Sequence, residues 1–441
     1  LNSNILMREI IALGVGQCGN QLSYNFWDNL TQEHGIDPVT GTWQGNSDLQ
    51  LMRSEVYFNE VQGGRYVPRS VLIDLEPGVL GQVQNCPKMG KLFNPDNVIG
   101  AQNGAGNNWA KGYYTDGAEM VEEILDQVRR GVELCESLQG FQIMHSLGGG
   151  TGSGLGSLLL ERLNEEYSDK LSFNFSVLPG SSDGGVSDVV TEPYNTVLSL
   201  NTLIENSQAT FSIENRALYR ICENNLKIKN PSFADVNHII AQVMSNSTAS
   251  LRFPGYENNC DIRKLSTNLV PFPRLHFLTQ SQAPLVARGN HLFEKMGVSH
   301  VAQQMLDSRN CLSSANITNS GKILTASCLF RGESISAYEA ESTVGSFKNK
   351  KAASFVEWIP DNTMISICKV APAWNKQANV SGTLLANSTA QQSSFQKLLG
   401  DFNKMLKANA YVHWYEGEGM GKDEFVEAAS NVMDLIQEYQ Q

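Results

Sequence analysis

Gly148-Gly149-Gly150-Thr151-Gly152-Ser153-Gly154 is the stretch on which the fold turns. A glycine costs roughly 0.5–1 kcal/mol of backbone entropy against alanine in a regular element. The five here therefore approach the lower end of the roughly 5–15 kcal/mol by which a domain is stable, and they need a positional reason. Before the run, Phe141, Ile143 and Leu147 stand at even spacing, as in a strand; after it, Leu155, Leu158, Leu159 and Leu163 recur at helical spacing through Tyr167. The glycines thus form a strand-to-helix turn, where unpaired backbone N–H groups and the positive end of a helix dipole converge. Phosphate is the natural occupant. The Thr151 and Ser153 hydroxyls add donors, but the run lacks the GK[ST] ending of a P-loop. A flexible linker is the competing interpretation, and the flanking strand and helix weigh against it.

Working outward, Ile10 to Leu13 form a short apolar run that ends at Gly14-Val15-Gly16-Gln17-Cys18-Gly19, followed by a helix face of Leu22, Phe26, Trp27 and Leu30. This is a GxGxxG between strand and helix, the pattern of a nucleotide-binding turn. A dehydrogenase would add an acidic strand end about 20 residues on. Asp37 has the distance but sits in a turn-like context, so NAD-dependent oxidoreduction rests on the glycines alone. Pro38 to Leu51 reads as a long surface loop. Ser70 to Ile73 reads as a buried strand running into Asp74-Leu75-Glu76, two carboxylates suited to a magnesium ion held near phosphates; a turn Asp with a solvated Glu is the plainer alternative. Asn103 to Asn108 is a third glycine and asparagine loop before a helix from Ala118 to Cys135. Leu171 to Val177 alternates as a strand, Pro179 to Gly185 is a fourth loop, and a helix follows Glu192 to Asn195. Alternating strands and helices predict a doubly wound parallel sheet with all four loops on its carboxyl edge.

The predicted fold class is therefore α/β. A doubly wound, parallel-sheet nucleotide domain covers residues 1–214, a linking helix region 215–250, an α+β domain 251–388 and a C-terminal helical region 389–441. Strands are expected at His276 to Leu278, Ile323 to Phe330, Ser354 to Trp358 and Ile365 to Val370. The apolar faces of the two closing helices are expected to be packing stripes, with Glu416, Glu418, Asp423, Glu424 and Glu427 on faces open to partners. The chain has 441 residues and a net charge of −12, which argues against nucleic acid and favours basic partners. No run of 18 apolar residues predicts a membrane span, and residues 1–6 are too short and uncharged for a secretory signal, so a soluble, unexported protein is expected. The eight scattered cysteines form no CxxC pair and are expected as free cytosolic thiols.

These residues also carry a resemblance. The chain resembles the tubulin family, β-tubulin in particular, through MREI at 7–10, GQCGNQ at 16–21, VPR with DLEPG at 67–78, GAGNNWAKG at 104–112 and HSLGGGTGSG at 145–154. It continues through EPYN at 192–195, LRFPG at 251–255, VPFPRLHF at 270–277, FVEWIP at 355–360 and HWY with GEGM at 413–420. The resemblance implies a GTPase subunit that binds GTP or GDP with Mg2+, pairs with α-tubulin and polymerises head to tail into microtubules. Lateral tubulin neighbours, microtubule-associated proteins and motors are the implied partners. The implied location is the cytoplasm and its cytoskeleton, with spindle or axoneme as candidate arrays. Gly16, Gln17 and Cys18 would form the first phosphate loop, Glu76 with Asp74 the magnesium contact, and Gly104, Ala105, Gly106 and Asn107 the third loop. Ser146, Gly149, Gly150, Thr151 and Gly152 would hold the diphosphate and Asp188 and Glu192 the sugar. Phe233 would stack on the base, which Asn215 and Asn237 read; an asparagine amide supplies the donor and acceptor that guanine needs.

Lys264 decides catalysis in this comparison. In α-tubulin the matching residue is a glutamate that helps activate water at the next subunit's nucleotide, whereas a lysine is suited to stabilising phosphate charge. The resemblance therefore implies no catalytic residue in cis: an α-tubulin acid completes this chain's site in trans. The alternative is a divergent lattice tubulin with a mainly structural role and little hydrolysis. Phe233 replaces a tyrosine, Gly180 to Gly185 is about three residues longer than the family's loop, and Pro284 to Gly297 diverges at the lateral-contact position. Residues 1–6 precede the family's start, as a native extension or an added remnant, and the family's acidic tail does not occur among these residues.

Overall fold

The computed structural model describes residues 8–180, 189–253, 261–285, 297–315, 317, 321–333, 335–350, 354–375 and 380–440. Strand β1 (Glu9–Val15) is buried at every position, as its apolar run requires, and the chain turns at Gly16 directly into α1 (Gly16–His34). The expected face of α1 is buried: Leu22, Phe26, Trp27 and Leu30 are fully inaccessible. Burying four such side chains stabilises the unit by about 6–12 kcal/mol before entropy is counted. The helix can lie this close to the sheet because of Gly19, where a Cβ would fall 2.1 Å from the Met144 carbonyl oxygen.

The chain continues through the hairpin β2 (Phe58–Val61) and β3 (Arg65–Pro68), then β4 (Ser70–Asp74), α2 (Pro77–Gln84) and β5 (Val98–Gly100). Next come α3 (Asp116–Glu133), β6 (Leu138–Ser146), α4 (Gly156–Glu166), β7 (Leu171–Leu178) and α5 (Glu192–Asn206). Contacts divide the described residues into two compact units, the first drawn from Leu1–Ser176, Asp188–Gln208 and Phe402–Ser430. Its sheet has the order β7-β6-β1-β4-β5, with β4 and β6 parallel to β1 and β5 parallel to β4. The strand order reverses beside β1, between β4 on one flank and β6 on the other. Val15 is level with Ile73 and Gly14 with Met144, so the carboxyl ends of β1, β4 and β6 meet at the switch point, where open α/β sheets bind ligands.

The second unit is drawn from Val177–Ser187, Ala209–Asp401 and Asn431–Gln441. Its elements are β8 (Ala209–Glu214), α6 (Asn215–Arg220), α7 (Phe233–Ser247), α8 (Ala249–Arg252), α9 (Ile262–Leu269), β9 (Phe277–Ala283) and α10 (Val298–Met305). They continue with β10 (Ile323–Arg331), α11 (Ala337–Lys350), β11 (Thr363–Cys368), β12 (Ser381–Ser388) and the start of α12 (Gln392–Lys407). The sheet order is β11-β10-β12-β9-β8, with β12 antiparallel to both neighbours and the other pairs parallel, an α+β arrangement. Val301, Met305, Phe330, Val344 and Leu384 lie in its core. Ser354 to Trp358, expected as a strand, makes a single bridge from Phe355 to Ile323. Conversely, β12 escapes a period-two pattern because both its faces are buried along its whole length.

The chain closes with α13 (Val412–Glu416) and α14 (Lys422–Glu438). In the first unit, the Tyr194 ring of α5 meets Phe402, Tyr415 and Phe425 edge-on, with centroids 5.4, 5.6 and 5.1 Å away. Part of the closing segments thus belongs to the core of the nucleotide-type sheet unit. Gly19→Ala is expected to destabilise the fold by about 1–3 kcal/mol or more through overpacking against β6, measured as a lower denaturation midpoint with an unchanged m-value.

Candidate functional site

At the carboxyl edge of the first unit, Gly16 adopts φ +74°, and a Cβ on it would lie 2.9 Å from the Gly152 backbone nitrogen. The turns after β1 and β6 therefore touch backbone to backbone. Neither opens on a side-chain cap. Val15 precedes α1 with no capping hydrogen bond, Gly150 precedes the π-helical turn Thr151–Leu155 with none, and neither first turn holds an acidic residue. Two sets of unsatisfied N–H groups thus converge, the arrangement that binds anions. Gln17 is exposed and Ser146, Gly149 and Thr151 are partly so, while Gly148, Gly150 and Gly152 are buried. Cys18 is partly exposed, and burial pushes its thiol up to about 12, so it stays protonated.

The third loop closes on the same edge. Gly104 has φ +67°, its N–H donates to Leu75 O (2.9 Å), and a Cβ there would fall 2.5 Å from Glu76 Oε1. A Cβ on Gly150 would meet that of Ala105 at 2.7 Å. Gly106 and Asn107 are exposed, Asn107 in the left-handed region at φ 56°. Asp74, at the end of β4, is 3 % exposed, and burial raises its carboxyl to about 6. Its Oδ1 accepts from the N–H of Glu76, whose own side chain is exposed. Glu192, in the first turn of α5, has its carboxylate over Gly148, with Oε1 3.0 Å from where a Cβ would stand.

These three loops, residues 14–19, 103–108 and 146–154, contain no Lys or Arg. A bound polyphosphate would have its charge met by backbone dipoles and by a cation, and the Asp74–Glu76 pair fits magnesium, which takes one or two carboxylates alongside phosphate and water. Among the described residues no group of three or more His, Cys, Asp or Glu could ligate a metal without such help.

The structure thus brings together Gly16, Gln17, Cys18, Asp74, Glu76, Gly104 to Asn107, Ser146, Gly149 to Gly152 and Glu192 within one unit. Of the remaining predicted site residues, those that are described lie in the second unit. Asn215 opens α6, Asn237 is buried on α7, and Phe233 opens α7 with 58 % exposure and its ring edge-on to Tyr219 at 6.4 Å. Lys264 is exposed on α9, which buries Ile262, Leu265 and Leu269 instead. Asp188, the loop 181–185 and most of Pro284 to Gly297 lie outside the described residues.

Two residues that position the loops carried no role in the sequence reading. His145, 2 % exposed, donates through Nδ1 to the Gly152 carbonyl (2.8 Å), which fixes Nε2 as acceptor from Ser176 Oγ (2.8 Å). Asn195, fully buried, contacts both the third loop and the glycine run. The signal for each was its place in a quoted motif, HSLGGGTGSG and EPYN.

The description "Tubulin/FtsZ family, GTPase domain" matches residues 9–223, and "Tubulin C-terminal domain" matches residues 273–400. The chain accordingly carries the GTPase domain of a tubulin-type protein. A tubulin beta chain from Pneumocystis carinii is 50 % identical over 435 residues, 99 % of this chain and 96 % of that one. The chain belongs to the tubulin family, as a β-tubulin homologue.

His145 makes the stability of the fold sensitive to pH. Burial lowers it from the ordinary 6.5 to about 4, so the unfolded chain takes up the proton first. Its contribution to stability is full above pH 6.5 and falls by about 3 kcal/mol as the pH drops toward 4. The stability advantage of the wild type over His145→Gln should shrink over that interval, measured by chemical denaturation at stepped pH.

Proposed function

We propose that this β-type subunit binds GTP at the carboxyl edge of β1, β4 and β6, pairs with α-tubulin, and has its GTP hydrolysed when an acid of the next dimer's α subunit completes the site. The observation that carries this reading is the meeting of two uncapped helix starts at Gly16 and Gly152, beside the Asp74–Glu76 pair. Backbone N–H groups of Gly16 to Cys18 and Gly149 to Gly152 hold the diphosphate, with the Ser146 and Thr151 hydroxyls as further donors. Gly104 to Asn107 closes over the terminal phosphate. Asp74 and Glu76 hold magnesium, which supplies charge neutralisation and phosphate orientation. Glu192 and Asp188 take the ribose, Asn215 and Asn237 read guanine, and Phe233 stacks on it.

None of the phosphate loops contributes a lone carboxylate placed as a general base. Asp74 and Glu76 serve the cation, and His145 is held by hydrogen bonds at both ring nitrogens. This supports the division of labour that the resemblance implies: positioning in this chain, water activation by its neighbour. Lys264, exposed on α9, is the cation this chain turns toward its partner's nucleotide. Lateral tubulin neighbours, microtubule-associated proteins and motors follow from the same assignment, with microtubule arrays as the location.

Purified full-length protein is expected to retain guanine nucleotide, and its turnover to rise on co-assembly with α-tubulin. Nucleotide-free protein whose turnover ignores assembly would overturn the proposal. Lys264→Ala should leave this chain's own GTP affinity within about twofold, as expected for an exposed side chain, and alter retention of the partner's nucleotide in the polymer.

A further inference from the structure

Asn195 has two amide hydrogens and two carbonyl lone pairs, and the structure uses all four. Its Nδ2 donates to Asn107 O and to Gly148 O, both at 2.9 Å. Its Oδ1 accepts from the Trp109 N–H (3.0 Å) and from the Tyr415 hydroxyl (2.6 Å). One fully buried side chain thus joins the third loop to the glycine run and ties both to α13. A second link runs beside it: Asn108 Nδ2 donates to Trp414 O at 3.0 Å. Thr191 Oγ1 adds a third bond to Asn107 O, at 2.9 Å.

The two ends of this connection differ in character. At one end, Asn107 and Gly148 belong to loops assigned to phosphate. At the other, α13 presents Trp414 to solvent with 60 % exposure, next in sequence to the buried Tyr415. Tyr415 is also fixed from behind, its ring edge-on to Tyr194 and to Phe425 of α14, with centroids at 5.6 and 5.4 Å. A shift of the Asn107 or Gly148 carbonyl has no slack to absorb it, because each contact of Asn195 is already at hydrogen-bond length.

We infer that Asn195 is a positioning residue for the phosphate loops and that, through the Tyr415 hydroxyl, it couples phosphate occupancy to the conformation of α13 and its exposed Trp414 surface. The coupling is reciprocal: whatever fixes α13 also fixes the loops. This inference rests on the proposed assignment of the loops to GTP.

The test uses the full-length protein with GTP, GDP and guanosine as probes. Tyr415→Phe removes one hydroxyl and keeps the ring packing; losing a neutral buried hydrogen bond predicts about fivefold weaker GTP and GDP binding. Guanosine, which lacks phosphates, should bind Tyr415→Phe as it binds wild type. Asn195→Ser should show the same pattern more strongly. Hydrogen exchange over residues 411–420 supplies the second readout: GTP should slow it in wild type and change it little in Tyr415→Phe. Equal weakening for all three ligands, or a GTP-dependent protection unaltered by Tyr415→Phe, would overturn the inference. Wild-type protein that binds none of the three would instead overturn the GTP assignment. If Asn195→Ser fails to fold, Tyr415→Phe alone decides.

Discussion

Backbone touches backbone where the turn after β1 meets the turn after β6, and the site depends on that contact. Gly16 can take φ +74° against Gly152 only because neither carries a side chain. Around this point the sheet brings the ends of β1, β4 and β6 level, so that three loops distant in sequence face one volume. The strand order then becomes a chemical statement. A reversal such as that beside β1 is where open α/β sheets bind ligands, and glycines allow close approach to the backbone there.

Much of this was legible in the chain itself. The Gly148 to Gly154 run announced its turn because its entropic cost lacked any other justification, and the α1 face of Leu22, Phe26, Trp27 and Leu30 is buried as its spacing implied. Strands buried on both faces were less visible. SGTLLANS at β12 shows no alternation, since nothing along it faces water, whereas ATFSIE at β8 alternates although both its faces are buried. Ser354 to Trp358 failed in the opposite sense: its aromatic and β-branched residues suit a strand, yet only Phe355 finds a bridge. Local composition gives propensity, and pairing requires a neighbour in register.

The candidate site divides along the same line. Residues that offer groups to a ligand stand in compositionally odd loops and could be read from them. Residues that hold those loops could not, because their worth comes from contacts distant in sequence: His145 reaches Ser176, and Asn195 reaches Asn107, Gly148 and Tyr415. An asparagine in a helix is unremarkable until its four partners are known. Asn215, Phe233 and Asn237, proposed for the base, belong to the second unit, and their assignment rests on the family resemblance rather than on residue pattern.

The manner in which the helices begin has a further meaning. α7 starts on a complete capping box, Ser232 bonding the backbone of Asp235 and Asp235 returning the bond. α1 starts on Val15, which has nothing to offer its first N–H groups. One helix carries its own terminator; the other, under the proposed function, would have its first N–H groups met by a nucleotide's phosphates. In that reading the nucleotide would stand in for the cap that α1 does not carry. A ligand that binds only the folded state adds its binding free energy to the stability of the fold, and a nucleotide held there would do so. On the proposed function, the molecule hydrolysed on assembly would also stabilise the fold of the subunit that assembles.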